Sequence, residues 1–112
     1  MKINGEDKKA LWYENESLYL IDQRKLPFSI EFIKADAVNH VASIIRTMVV
    51  RGAPAIGATA AYGMVFGKEG PEKTAKILKN TRPTAHDLFY AIDYMIDHIK
   101  KGTDALEAAH EY

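Results

Sequence analysis

Two arginines in this 112-residue chain stand in similar local settings: Arg51 in Val49-Val50-Arg51-Gly52-Ala53-Pro54-Ala55-Ile56-Gly57, and Arg82 in Asn80-Thr81-Arg82-Pro83-Thr84. In each, arginine and then proline precede a stretch of helical character. Proline suits the first helical position, because the missing N–H would have no partner there and the fixed φ fits the first turn. The first helix is therefore expected to start at Pro54. Its first-turn N–H groups point backwards out of the helix and, with the macrodipole, favour an anion. Gly52 lets the backbone come close to a ligand, and the Arg51 guanidinium is a forked donor that suits phosphate. Arg82 repeats the arrangement, so two guanidinium groups at the starts of two packed helices could clamp one phosphorylated ligand. The plainer alternative is a Gly-Ala-Pro turn and two solvated loop arginines.

Other chemistry finds less support. Asp93 and Asp97 lie one turn apart beside His98, but no His-x3-His or cysteine set accompanies them, and such carboxylates read as a hydrated helix face. His40, His86, His98 and His110 form no spaced set, and there is no P-loop or nucleophile elbow. Cysteine is absent, which excludes disulfides, thiolate metal sites and a cysteine nucleophile within these residues. The 15 basic and 15 acidic residues balance to zero net charge, so no basic footprint for nucleic acid is expected. No apolar run reaches the roughly 18 residues of a membrane span. The polar opening, Met1 to Ala10, does not resemble a secretory signal, and cytoplasmic residence is the default expectation. At 47% hydrophobic and 27% charged residues, the composition is that of one soluble globular domain.

The elements that must position the two arginines follow from periodicity and punctuation. Residues 1–10 read as a flexible lead. Leu11 to Glu14 and Ser17 to Asp22 read as two strands about Asn15-Glu16. Gln23 to Pro27 is a connector. The alternation of Phe28, Ile30 and Phe32 suggests a third strand over residues 28–33. Asp36 is expected to cap a helix over Ala37 to Met48 with Val38, Val41, Ala42, Ile45 and Met48 as its apolar stripe. The helix from Pro54 to about Phe66 has small residues on all sides and no charged face, the mark of a buried helix. Gly67 to Gly70 ends it, and Pro71 opens a short helix to about Lys79. Thr84 with Asp87 makes a capping-box-like start for a helix to about Lys101. Thr103 or Asp104 caps a last helix that has completed about two turns at Tyr112. The expected class is α+β, a small antiparallel sheet packed on a bundle of four or five helices.

Several of these segments resemble methylthioribose-1-phosphate isomerases. Leu11-Trp12 with Leu18-Tyr19-Leu20-Ile21-Asp22-Gln23-Arg24-Lys25-Leu26-Pro27 is similar to their opening. Met48-Val49-Val50-Arg51-Gly52-Ala53-Pro54-Ala55-Ile56-Gly57 is similar to their most recognisable motif, and Thr81-Arg82-Pro83-Thr84-Ala85 to a third segment in the same order. The resemblance runs from about residue 11 to 112, and the wider superfamily includes ribose-1,5-bisphosphate isomerases and the alpha, beta and delta subunits of translation initiation factor 2B. It implies conversion of 5-methylthioribose 1-phosphate to 5-methylthioribulose 1-phosphate in methionine salvage. It also implies substrate contacts from Arg51, Gly52, Ala53 and Arg82, no metal or organic cofactor, and a homodimer for the full-length protein.

The same resemblance implies a protein about three times longer, whose Rossmann-like second domain carries the cysteine and aspartate that move the proton. Residues 11–112 then correspond to the N-terminal domain, cut in its last helix. No catalytic residue is carried over, and apolar surface where the second domain docks would favour self-association. The alternatives are a regulatory subunit of initiation factor 2B type and a stand-alone phosphosugar-binding module. Substrate contacts without an acid and a base do not isomerise a sugar, so the purified 112-residue chain is expected to give no turnover of methylthioribose 1-phosphate in a coupled assay.

Overall fold

Alternating residues set the sheet. The computed structural model describes residues 2–3, 6–7, 11–50, 52–83 and 85–112. Strands β1 (Lys2–Ile3) and β2 (Glu6–Asp7) pair antiparallel, Lys2 opposite Asp7, so a short ladder stands where the sequence suggested only a flexible lead. Strands β3 (Leu11–Glu14), β4 (Ser17–Ile21) and β5 (Phe32–Ala35) form a second antiparallel sheet in that order. Asn15 and Glu16 both take positive φ, 51° and 64°, as a tight primed turn requires.

Leu18 sits between Tyr13 and Ala35, and Leu20 between Leu11 and Ile33. Leu18, Leu20 and Ala35 are fully buried on this face. That register corrects the expected third strand. Ile33 and Ala35, rather than Phe28 and Ile30, reach the buried face, and Phe28 is left 95% exposed. On the outer face Trp12 stacks on Tyr19 at 5.5 Å and meets Phe32 edge-on at 5.7 Å.

Among the described residues five helices follow: α1 (Val38–Arg46), α2 (Ala53–Val65), α3 (Pro71–Lys79), α4 (His86–Lys100) and α5 (Ala105–Glu111). Asp36 does not cap α1. Ala37 is the extended residue at its start, and no side chain caps it, so Asp36 stands one position too early. Helix α1 also ends before Met48. Met48 N–H donates to Ile45 C=O at 3.3 Å and Val49 N–H to Ile44 C=O at 3.1 Å, the paired bonds of a Schellman motif. Met48 holds the left-handed position at φ 65°, where glycine is usual. Asp104 does cap α5, its carboxylate accepting from Glu107 N–H at 3.2 Å.

Helix α2 packs against all four other helices and against β3. Its Ala60 and Ala61 are fully buried, as is Thr59, whose hydroxyl donates to Ala55 C=O at 2.7 Å. Facing it, Leu88, Ala91, Ile92 and Met95 of α4 are fully buried. Tyr13 of β3 stacks on Tyr62 of α2 at 5.4 Å, and the Tyr62 hydroxyl bonds His110 Nδ1 of α5 at 2.9 Å. Sheet, central helix and last helix are thereby joined in one aromatic cluster.

Gly63 shows how tight this packing is. A Cβ there would stand 2.8 Å from Val41 Cγ1 and 3.1 Å from Leu78 Cδ1, inside normal contact distance for both α1 and α3. Replacing glycine by alanine in a helix ordinarily gains about 1 kcal/mol, whereas overpacking a core costs about 1–3 kcal/mol. Gly63→Ala is expected to lower the urea midpoint, so that the packing cost outweighs the propensity gain.

Candidate functional site

The Schellman turn after α1 sends Val49 and Val50 into the core, where they are 2% and 1% exposed. Val49 C=O accepts from Gln23 N–H at 2.9 Å, so the connector after β4 is tied to the strand of chain leading into α2. That connector is itself held by Asp22. Its buried carboxylate accepts from Arg24 Nε at 2.9 Å, Arg24 Nη2 at 2.8 Å and Arg24 N–H at 3.0 Å. The side-chain hydrogen bond from Arg24 outweighs the burial of Asp22 and holds its carboxyl below the ordinary carboxylate value.

Gly52 then opens α2 with φ 90°, a left-handed value that disfavours any side chain. An added Cβ would meet nothing within 4 Å, so it is the backbone angle, not space, that calls for glycine. Ile56 N–H closes the first helical bond to Gly52 C=O at 3.0 Å. No side chain caps the start of α2.

The start of α4 lies beside it. Arg82 C=O accepts from Ala85 N–H at 3.0 Å, a turn that delivers the chain into α4, whose own start also lacks a side-chain cap. The expected capping box is not the observed start: α4 begins at His86 behind an extended Ala85, and Thr84 lies outside the described residues. Met48, Gly52, Ile56, Arg82, Ala85, His86 and Asp87 together line an open cleft of about 310 Å³. Arg82 is half-buried and makes no ion pair among the described residues, so its guanidinium is available to a ligand.

Of the residues singled out in the sequence, Gly52 and Arg82 thus line one cleft. Ala53 is the first residue of α2, directly after Gly52. Arg51 lies outside the described residues. Sequence reasoning did not place Met48, Ile56, His86 or Asp87 in this cleft. Asp87 was read only as the partner of Thr84 in a capping-box-like start, and its place beside Gly52 in the cleft depends on how α4 crosses α2. The Asp93–Asp97 pair is otherwise occupied: Lys79 Nζ lies 2.7 Å from Asp93 and Lys101 Nζ 2.9 Å from Asp97. Two helix starts, the Arg82 guanidinium and the Asp87 carboxylate thus surround one small cleft.

Comparison with known proteins finds similar chains and similar folds. Methylthioribose-1-phosphate isomerase of Aquifex aeolicus is 49% identical over 105 residues, covering 90% of this chain and 23% of the relative. A putative methylthioribose-1-phosphate isomerase of Methanosphaera stadtmanae is 43% identical over 106 residues, covering 92% of this chain and 34% of the relative. The crystal structure of 5-methylthioribose 1-phosphate isomerase from Pyrococcus horikoshii superimposes with a TM-score of 0.82 at 34% identity over 91% of this chain and 35% of that one. The chain is similar to proteins named methylthioribose-1-phosphate isomerase at 40–49% identity, and the solved structures it matches lie within the initiation factor 2B-like superfamily. Translation initiation factor eIF-2B, subunit delta, from A. fulgidus superimposes with a TM-score of 0.85 at 32% identity, over 94% of this chain and 36% of that one. No family model matches the chain. The chain spans about a quarter to a third of the length of the family members it matches, and its α+β fold matches an N-terminal domain of such proteins.

The Asp22–Arg24 pair gives this site a pH signature. The folded carboxyl value lies below the unfolded one near 3.8, so the pair contributes its full stability above the unfolded value. That contribution is lost as pH falls through the folded value. Arg24→Ala is expected to lower the urea midpoint at neutral pH, and the gap to the parent is expected to close in acid as Asp22 protonates. A gap that is constant with pH would show that Arg24 acts through packing instead.

Proposed function

We propose that this chain supplies the phosphosugar-binding part of an aldose–ketose isomerase that converts 5-methylthioribose 1-phosphate to 5-methylthioribulose 1-phosphate. The observation that carries this reading is the cleft shared by Gly52 and Arg82 in a chain up to 49% identical to proteins of that name. In this reading Arg51 and Arg82 neutralise the phosphate, while Gly52 and Ala53 bring backbone N–H groups to it. None of these groups is an acid or base suited to proton transfer near neutral pH, so the catalytic pair lies outside residues 1–112 and the chain alone does not turn over substrate. The reaction needs no metal or organic cofactor from this part of the protein. The protein acts in the cytoplasm, as a homodimer at full length, within methionine salvage.

A second reading rests on the initiation factor likeness. The eIF-2B delta structure superimposes at a TM-score of 0.85, which suits a regulatory protein acting through protein contacts. The two readings part on ligand binding. An isomerase-type domain binds methylthioribose 1-phosphate through its arginines; a purely regulatory relative ignores it.

In the full-length protein, Arg51→Ala is expected to weaken phosphosugar binding by about 2–4 kcal/mol, the scale of one lost charge-assisted contact to phosphate. Arg82→Ala is expected to cost about 1–2 kcal/mol, because its half-buried guanidinium stays partly hydrated. Calorimetric titration and steady-state KM measure both. Unchanged KM and kcat in the two variants would remove the arginines from the site.

A further inference from the structure

A second concavity lies beside the Gly52–Arg82 cleft, with Asp87 at the border of both. It is an open groove of about 460 Å³ between the start of α2, one face of α4 and the end of α5. Its wall is aromatic. Tyr90 and Tyr94 stand one turn apart on α4, and the Tyr112 ring lies 6.3 Å from the first and 5.2 Å from the second. Tyr90 is 66% exposed, so much of this aromatic surface is uncovered. Asp87 and Glu111 bring two carboxylates to the same groove, and no lysine, arginine or histidine lines it among the described residues. Neither carboxylate has an ion-pair partner there.

The seat of Tyr112 is built by α2. A Cβ at Gly57 would stand 2.8 Å from the Tyr112 hydroxyl oxygen and 3.4 Å from Asp87 C=O. The absence of that side chain is what lets the ring lie against the helix. Burial, then Asp87, then Tyr90 raise the Tyr112 phenol above its ordinary value, in keeping with a field that disfavours further negative charge.

The faces of aromatic rings are negative and attract cations within about 6 Å of their centroids. A strongly hydrated metal ion gains little from such a wall, whereas an alkylated ammonium sheds its water readily and offers methyl groups to the rings. An uncharged apolar segment would bury Asp87 and Glu111 against it without compensation. We infer that the Tyr90–Tyr94–Tyr112 groove binds a small organic ammonium ion, held on the tyrosine faces with Asp87 and Glu111 as counter-charge. The inference stands on these residues and does not depend on the phosphosugar reading of the neighbouring cleft.

The test uses the chain with labelled tyrosine rings, titrated with choline and followed by NMR at constant ionic strength. Saturable shifts of Tyr90, Tyr94 and Tyr112 are expected, with 3,3-dimethylbutan-1-ol, the uncharged analogue of the same shape, binding more weakly by about two- to fivefold or more. Tyr90→Leu, at an exposed position that leaves folding intact, and Glu111→Gln are each expected to weaken choline by about two- to fivefold, the scale of one lost cation–aromatic or charge contact. Equal binding of the neutral analogue overturns the inference. So does a choline response that is absent up to about 100 mM, or one that is unchanged in both variants.

Discussion

Helix α2 carries no charged side chain and is largely buried. It is wrapped by the other four helices and touched by β3, and a helix so enclosed must be built of small side chains if its neighbours are to reach it. Ala60, Ala61, Gly57 and Gly63 meet that demand, and Thr59 satisfies its hydroxyl within its own helix. The rest of the chain is arranged around this constraint. The start of this helix reaches the surface, so its first-turn backbone N–H groups are presented at one defined place. The cleft sits there, and Pro54 and Ala58 of the same helix line the neighbouring groove.

That arrangement was partly legible in the residues. The absence of charge between Pro54 and Phe66 marks a buried helix by elementary patterning, and the proline and glycine punctuation marks where α2 and α3 begin. The hairpin about Asn15-Glu16 was readable from its flanking apolar residues despite a turn lacking the usual glycine. The third strand was not, because the alternation of Phe28, Ile30 and Phe32 competes with that of Ile33 and Ala35. Only pairing with Leu18 and Leu20 chooses between them. Asp36 looked like a cap because residue type alone cannot say which of two adjacent residues takes the extended conformation. The end of α1 was missed for a related reason: methionine in a left-handed position carries no composition signal.

The candidate site divides in the same way. Arginine before a helix start is a local pattern, and Arg82 was found by it. That Arg82 shares a cleft with Gly52 is a property of how α4 crosses α2, which local spacing does not encode. The Asp22–Arg24 pair belongs to a third level. It lies far along the chain from Gly52, yet through Gln23 and Val49 it fixes the path by which the backbone enters the site. Its role is visible only once the connector is seen against the turn after α1.

The central position of α2 also bears on how the chain folds. Its contacts reach back to Tyr13 and forward to His110, so its formation cannot be separated from the closure of long loops on both sides. Sheet β3–β4–β5 is made of near neighbours in sequence and can form early; α1 packs on α3, α3 on α4 and α4 on α5, but only α2 among the described helices meets all the others. Such a topology concentrates the folding nucleus in one apolar helix together with the parts of α1 and α4 that first meet it. Substitutions along its buried face should therefore slow folding, while those at the exposed cleft should act mainly on the rate of unfolding.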